Sequence, residues 1–386
     1  MIRIYSATFR RVTAAVALAL ASAAAAAQPA PQAGATDTAA VVTRLRAFFA
    51  QPAQRGFSGA VLVARNGAVL FEGAYGLANR ETGERNALDT RFNLASAGKL
   101  LTRIAILQLA QRGRIEMDAP VGRYLPDYPN PAVRERVTIR QLYNMRSGVG
   151  SYWNTRFAER RTSLRTIDDY LGLFATDPLA FEPGTQSLYS NGGYIILGKV
   201  IEVVSGLSYD DYVRRNILEP AGMASTGHFT LDEIGPGTAI GYMAGGGPVA
   251  GPPGTDGGGA RRIVQADAAR PGPDALRPNT DELPGRGLSA GGGYSTVRDF
   301  LRLDQAIREH RLLDAASTAS LLGPGFARGD GLSAIAGGYA GTNTFFGMFP
   351  DGTAIIVFAN RDPPMATDAG EAIARLLGKT LPRPGG

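Results

Sequence analysis

Two strand–turn–strand patterns at opposite ends of the chain constrain its fold more than any other feature. "GAVLVARNGAVLFEGAYG" (59–76) holds two β-rich runs joined at Asn66-Gly67, a turn pair that accepts positive φ at both positions. "GTNTFFGMFPDGTAIIVFAN" (341–360) repeats the pattern around Pro350-Asp351-Gly352. Between them, apolar residues recur mostly at helical spacing, most clearly in "GGYIILGKVIEVVSG", which ends at Gly206. Strands at both ends with helices between predict an α/β fold: a sheet flanked by helices and closed by the two ends of the chain, wrapped around a mostly helical insertion.

The α/β part is expected at about 37–117 and 287–386 and the helical part at about 118–242. "TAAVVTRLRAFFA" (38–50) opens the domain with helical periodicity. The segment 243–286 contains "AGGGPVAGPPGTDGGGA" and "RPGPDALRPNTDELPG"; without periodicity, it reads as a long surface loop or partly ordered flap. The first 27 residues read as a secretory signal: Arg3, Arg10 and Arg11, then the small apolar run Val12–Ala27 with an A-x-A site before Gln28. That run is short and mostly alanine, so cleavage is favoured over a membrane anchor, and Arg10-Arg11 permits a twin-arginine route. Residues 28–36 read as a flexible leader and 37–386 as the working domain, periplasmic or secreted, with no stable membrane insertion once the signal is removed.

Composition excludes several chemistries. With no cysteine there is no disulfide, thiolate site or lipoprotein anchor. The formal net charge of +6 falls to +3 without the three leader arginines, and no basic run interleaves with aromatics, so nucleic acid is not expected as a partner. No H-E-x-x-H, histidine cluster or calcium loop points to a metal, and no G-x-x-x-x-G-K-[ST] to a nucleotide. No cofactor is called for. The two histidines, His228 and His310, have no triad context. Oligomeric state is not indicated.

The chain has 37 arginines and only three lysines, Lys99, Lys199 and Lys379. One of them stands three residues after a serine, in "FNLASAGKL" (92–100), where a helix is expected to begin at Ser96 and to end near Gly113. Ser96 could simply cap that helix. A capping box would then place Glu or Gln at the third position, whereas Lys99 sets a positive charge against the positive end of the helix dipole. Chemistry explains the choice better. Residues i and i+3 share a face, and the dipole and partial burial both favour a neutral amine able to take a proton from Ser96. Backbone N–H groups at the helix start suit an oxyanion. A second element, Tyr189 and Asn191 in "LYSNGGYIILGKVIEVVSG", precedes the helix ended by Gly206; alone, Tyr189 would pass for a half-buried aromatic with a wet hydroxyl.

Together, S-A-G-K (96–99) and Y-S-N (189–191) resemble the serine β-lactamase and penicillin-recognising hydrolase superfamily, closest to its class C β-lactamase-like and esterase branch, where Y-x-N replaces S-D-N. "FSGAVLVARNGAVLFEGAYGLAN", "VTIRQLYNMRSGV", "NILEPAGMAST", "GGGYSTVRDFLRL" and "GMFPDGTAIIVFAN" are similar to segments of that family in the same order. The resemblance implies the β-lactamase/transpeptidase-like fold, an acyl-enzyme on Ser96, proton transfer by Lys99 and Tyr189, and a substrate or lysine contact for Asn191. The family's third motif, K-T-G or H-x-G, falls on "IAGG" (335–338), so Ile335 stands where Lys or His is usual. Gly337 and Gly338 survive, and Gly338 is implied as the second oxyanion donor. Met145-Arg146-Ser147-Gly148 likewise replaces the usual H-T-S-G.

Ile335 cannot attract a carboxylate. The preferred reading is therefore a serine hydrolase of uncharged small-molecule esters, amides or peptide-like substrates, with Ile335, Gly337, Gly338 and Asn191 at the substrate. A β-lactamase, D-Ala-D-Ala carboxypeptidase or aminopeptidase-type activity shares the nucleophile and stays open. So does a catalytically inactive ligand-binding homologue, against which the retention of Ser96, Lys99, Tyr189 and Asn191 argues.

Overall fold

The computed structural model describes residues 33–51, 56–244, 276–329 and 331–379. The expected signal sequence and residues 28–32 of the leader lie outside them. Helix α1, Ala33–Ala50, takes in the last four residues, 33–36, of the leader expected to be flexible. Strands β1 (Gly59–Arg65) and β2 (Ala68–Tyr75) form the first hairpin. Asn66 and Gly67 turn at φ 50° and 78°, the left-handed geometry that Asn-Gly tolerates.

Three strands from the C-terminal part complete the sheet: β3 (Ser333–Tyr339), β4 (Thr342–Met348) and β5 (Thr353–Ala359). The order is β2-β1-β5-β4-β3, antiparallel throughout. The two ends meet at the centre, where Val61 pairs with Val357. Every residue of β5 is buried, so alternate side chains serve two cores. Ile355 and Val357 join Val41 and Leu45 of α1 and Ile373 of helix α5, Met365–Leu376. Ile356 and Phe358 face the larger core with helices α2 (Lys99–Gln111) and α4 (Val297–Arg308), where Phe300 meets Phe358 edge-on at 5.0 Å. Each such fully buried apolar side chain contributes about 1.5–3 kcal/mol.

Between β2 and the later strands the chain is mainly helical, with short helices and α3, Asn191–Ser205. Ser190 caps α3 through Gly193 N, and Gly206 ends it at φ 75°. The Gly/Pro-rich segment is tied at both ends, because Tyr242–Ala244 pairs antiparallel with Leu276–Pro278; residues 245–275 lie outside the described residues. Among the described residues, no helix is long and apolar enough to cross a membrane.

Candidate active site

Ser96 sits on a 3-10 turn, Ala95–Gly98, and α2 proper starts only at Lys99. Ser96 caps neither element: Leu94 stands at the N-cap of the 3-10 turn and Gly98 at that of α2, both without a side-chain cap bond. The reason for the later start is the backbone before it. Ala95 has φ 45°, a left-handed conformation that costs a non-glycine residue of order 1 kcal/mol or more. Its N–H donates to Asn93 Oδ1 at 2.9 Å and its carbonyl accepts from Gly292 N at 2.8 Å. In a 3-10 turn, residues i and i+3 are eclipsed, which places Lys99 directly alongside Ser96.

Lys99 Nζ lies 3.3 Å from Ser96 Oγ. It also donates to Asn191 Oδ1 at 2.7 Å and, more closely, to the carbonyl of Ala290. The side chain is only 2% exposed, more deeply buried than expected, and burial holds its pKa below the ordinary lysine value, partly opposed by Tyr189. A neutral amine has two N–H groups and one lone pair. In that form the two carbonyl oxygens would take the N–H groups and the lone pair would be left for the Ser96 hydroxyl.

Tyr189 completes the arrangement, its hydroxyl 2.5 Å from Ser96 Oγ and its ring centre 4.9 Å from Lys99 Nζ. The turn that presents it is braced by the M-R-S-G segment: Leu188 N donates to Met145 O at 3.0 Å and Gly184 N to Arg146 O at 2.8 Å. Asn191, the first residue of α3, spends its other amide end on Ser151 Oγ at 3.2 Å.

Strand β3 passes close beside the nucleophile turn. A Cβ on Gly337 would lie 2.4 Å from Leu94 O and 2.8 Å from Ala97 N, so no side chain fits there. Gly338, its neighbour, lines the cleft that opens at Ser96. Gly337 and Ile335 do not line it, contrary to their expected place at the substrate. Gly337 supports the turn from below, and Ile335, two residues along on the same strand face, is a partly buried side chain against the larger core.

The cleft is open to solvent and holds about 620 Å³ of space, part of it bulk solvent. Aromatic rings dominate its walls: Tyr152, Trp153 and Phe157 on the helical side, Phe229 and Tyr294 on another, and Tyr339 from β3. Leu283 and Pro284 complete it, so the end of the Gly/Pro-rich segment contributes to the site. Among the described residues none of its lining side chains is charged.

Several of these parts were not anticipated as site residues. The run Gly291-Gly292-Gly293 has positive φ throughout, and a Cβ on Gly291 would fall 2.6 Å from Ala95 O. Three consecutive glycines in "SAGGGYS" were the available signal. Ala290 acts through its carbonyl alone, which leaves no trace in a sequence.

The fold and this Ser-Lys-Tyr geometry define a serine hydrolase of the β-lactamase type. Residues 45–379 match the Beta-lactamase family, and the chain belongs to it. Esterase EstB of Burkholderia gladioli is 35% identical over 219 residues, 52% of this chain and 55% of that protein, so the shared region is about half of EstB. PbpX of Bacillus subtilis (strain 168) is 27% identical over 314 residues, 79% of this chain and 71% of that one. The crystal structure of a penicillin binding protein from Bacillus halodurans superposes with a TM-score of 0.71 at 29% identity, covering 86% of this chain and 98% of that chain.

Proposed function

We propose that this protein is a secreted or periplasmic hydrolase that cleaves uncharged esters or amides through an acyl-enzyme on Ser96. The observation that carries the reading is the convergence of Lys99 Nζ and Tyr189 OH on one hydroxyl, 3.3 and 2.5 Å away, at the mouth of a cleft whose described walls bear no charge. Neutral Lys99 takes the Ser96 proton as Oγ bonds to the carbonyl carbon and the carbonyl π pair moves onto oxygen. The N–H groups of Ser96 and Gly338 would hold that oxyanion. Collapse breaks the bond to the leaving group, which takes the Tyr189 proton, and the Lys99 ammonium restores the tyrosine. Water then repeats the sequence on the acyl-enzyme and frees the acid.

Asn191 would keep Lys99 in register or meet the substrate amide. With Ile335 in place of Lys or His and packed against the core, no cation faces the cleft among its described lining residues, which favours neutral substrates over penicillins and D-Ala-D-Ala peptides. The kinship with EstB, an esterase by name, points the same way.

Intact-protein mass after exposure to a fluorophosphonate and, separately, to a penicillin tests the reading on wild type and Ser96→Ala. The expected result is a fluorophosphonate adduct on wild type only, with esters turned over faster than cephalosporins. Faster cephalosporin hydrolysis would overturn the substrate assignment. No adduct with either reagent on folded protein would leave a ligand-binding homologue.

A further inference from the structure

Lys99 and Tyr189 reach Ser96 Oγ from outside the lining of the cleft. Ser96, Asn191 and Gly338 line the cleft, whereas Lys99 and Tyr189 do not, although both reach Ser96 Oγ. In the hydrolase reading above, on which this inference rests, the leaving group receives its proton from Tyr189. We infer that it sits beside the Tyr189 hydroxyl, outside the lining of the cleft. The part of the substrate that fills the cleft is then the acyl group, the part retained on Ser96 as the ester intermediate.

The walls specify what that group is. Trp153 meets Tyr339 edge-on with ring centres 5.2 Å apart, and stacks on Phe157 at 6.2 Å with the planes 10° apart. The Tyr339 ring is fixed by its hydroxyl, which donates to Glu282 O at 2.7 Å. Tyr152 packs edge-on against Tyr170 at 4.9 Å. Ring faces and edges held in this way favour a further ring beyond simple burial. A charged acyl group would lose its hydration against apolar walls with no ion to replace it. Ser151 couples this wall to the chemistry, since it precedes Tyr152 and Trp153 and accepts from Asn191 Nδ2.

We propose that Trp153 and Tyr339 form an acyl pocket selective for neutral aromatic acyl groups, and that the enzyme discriminates little among leaving alcohols. Two series of esters test this on the full chain. With 4-nitrophenol constant, kcat/KM for the 3-phenylpropanoate is expected to exceed that for the acetate about tenfold or more, and that for the anionic hemisuccinate by more still. With the 3-phenylpropanoyl group constant, propyl, butyl and cyclohexylmethyl esters should agree within about threefold, because their alcohols have similar basicity. Trp153→Ala and Tyr339→Ala should each bring the aromatic-to-acetyl ratio down toward unity, mainly through KM. Trp153→Phe, the milder change, should keep much of the ratio and guards against misfolding.

Trp153 is the sole tryptophan, so its fluorescence reads occupancy directly. On Ser96→Ala, 3-phenylpropanamide should shift the emission at concentrations where acetamide does not. Acetate turnover dependent on Ser96 but without aromatic preference, or with the alcohol dominating selectivity, would overturn the acyl-pocket proposal and leave the hydrolase reading standing. If no ester acylates Ser96, the hydrolase reading falls, and the fluorescence titration still decides aromatic selection: equal response to both amides would overturn it.

Discussion

The Tyr189 hydroxyl stands 2.5 Å from Ser96 Oγ although 93 positions separate the two residues. The contact bridges the helical part and the sheet-bound nucleophile turn. Removing the hydroxyl alone, in Tyr189→Phe, should lower kcat by about 10²–10⁴-fold, the usual contribution of a positioned acid–base group. KM should change little. Steady-state kinetics on a 4-nitrophenyl ester measure it, and an unchanged kcat would remove Tyr189 from the proton path.

The pH profile should report Lys99. Burial lowers its pKa from the ordinary 10.5, and the neutral amine is the base. Activity therefore rises with pH through the folded-state pKa of Lys99 and levels off above it. The acid limb of kcat/KM should have its midpoint below 10.5, and it should disappear together with the activity in Lys99→Met. An acid limb at the ordinary lysine value would contradict the burial.

Asn191 accepts a hydrogen bond from Lys99, an interaction that favours the ammonium form. Asn191→Ala should therefore move the acid limb to still lower pH while reducing kcat by roughly tenfold through lost alignment. A purely structural role would lower kcat without moving the limb.

Gly337 leaves no room beside the nucleophile turn. Gly337→Ala should push β3 and the turn apart at a cost of about 1–3 kcal/mol, the usual range for overpacking. The expected readouts are a melting point lower by several degrees and slower labelling of Ser96 by fluorophosphonate. Full labelling speed would mean that the turn tolerates the shift.

Asp304, fully buried, accepts from Arg308 Nε at 2.8 Å. Arg308 also donates to Phe349 O and Thr353 O, tying the end of α4 to the β4–β5 turn. Asp304→Ala would leave that guanidinium largely buried without its carboxylate, costing about 3–5 kcal/mol. Denaturant unfolding at pH 7.5 should show the loss, far from the active site.

The strands, the Asn66-Gly67 turn and the glycine ends of α2 and α3 follow from residues that act locally: alternation, left-handed φ and capping need no distant partner. Ser96, Lys99, Tyr189 and Asn191 stand out as candidates because two short motifs, S-A-G-K and Y-S-N, resemble those of the family, and the structure brings the four side chains together. The 3-10 start of α2 was not, since Ala95 takes its left-handed conformation only under the hold of Asn93 and Gly292. Nor was the true position of Ile335, because which strand residues face a cleft depends on what packs across the strand.

The sequence by itself marked the candidate catalytic side chains and determined the sheet's two hairpins, through patterns complete within a few residues. Tertiary structure decided the rest. The lowered pKa of Lys99 depends on burial and its placement on the Ala290 carbonyl, 191 positions away, and the cleft's aromatic wall joins Trp153 to Tyr339 across the molecule. Burial and ring contact are properties of assembled surfaces, so no local pattern encodes them.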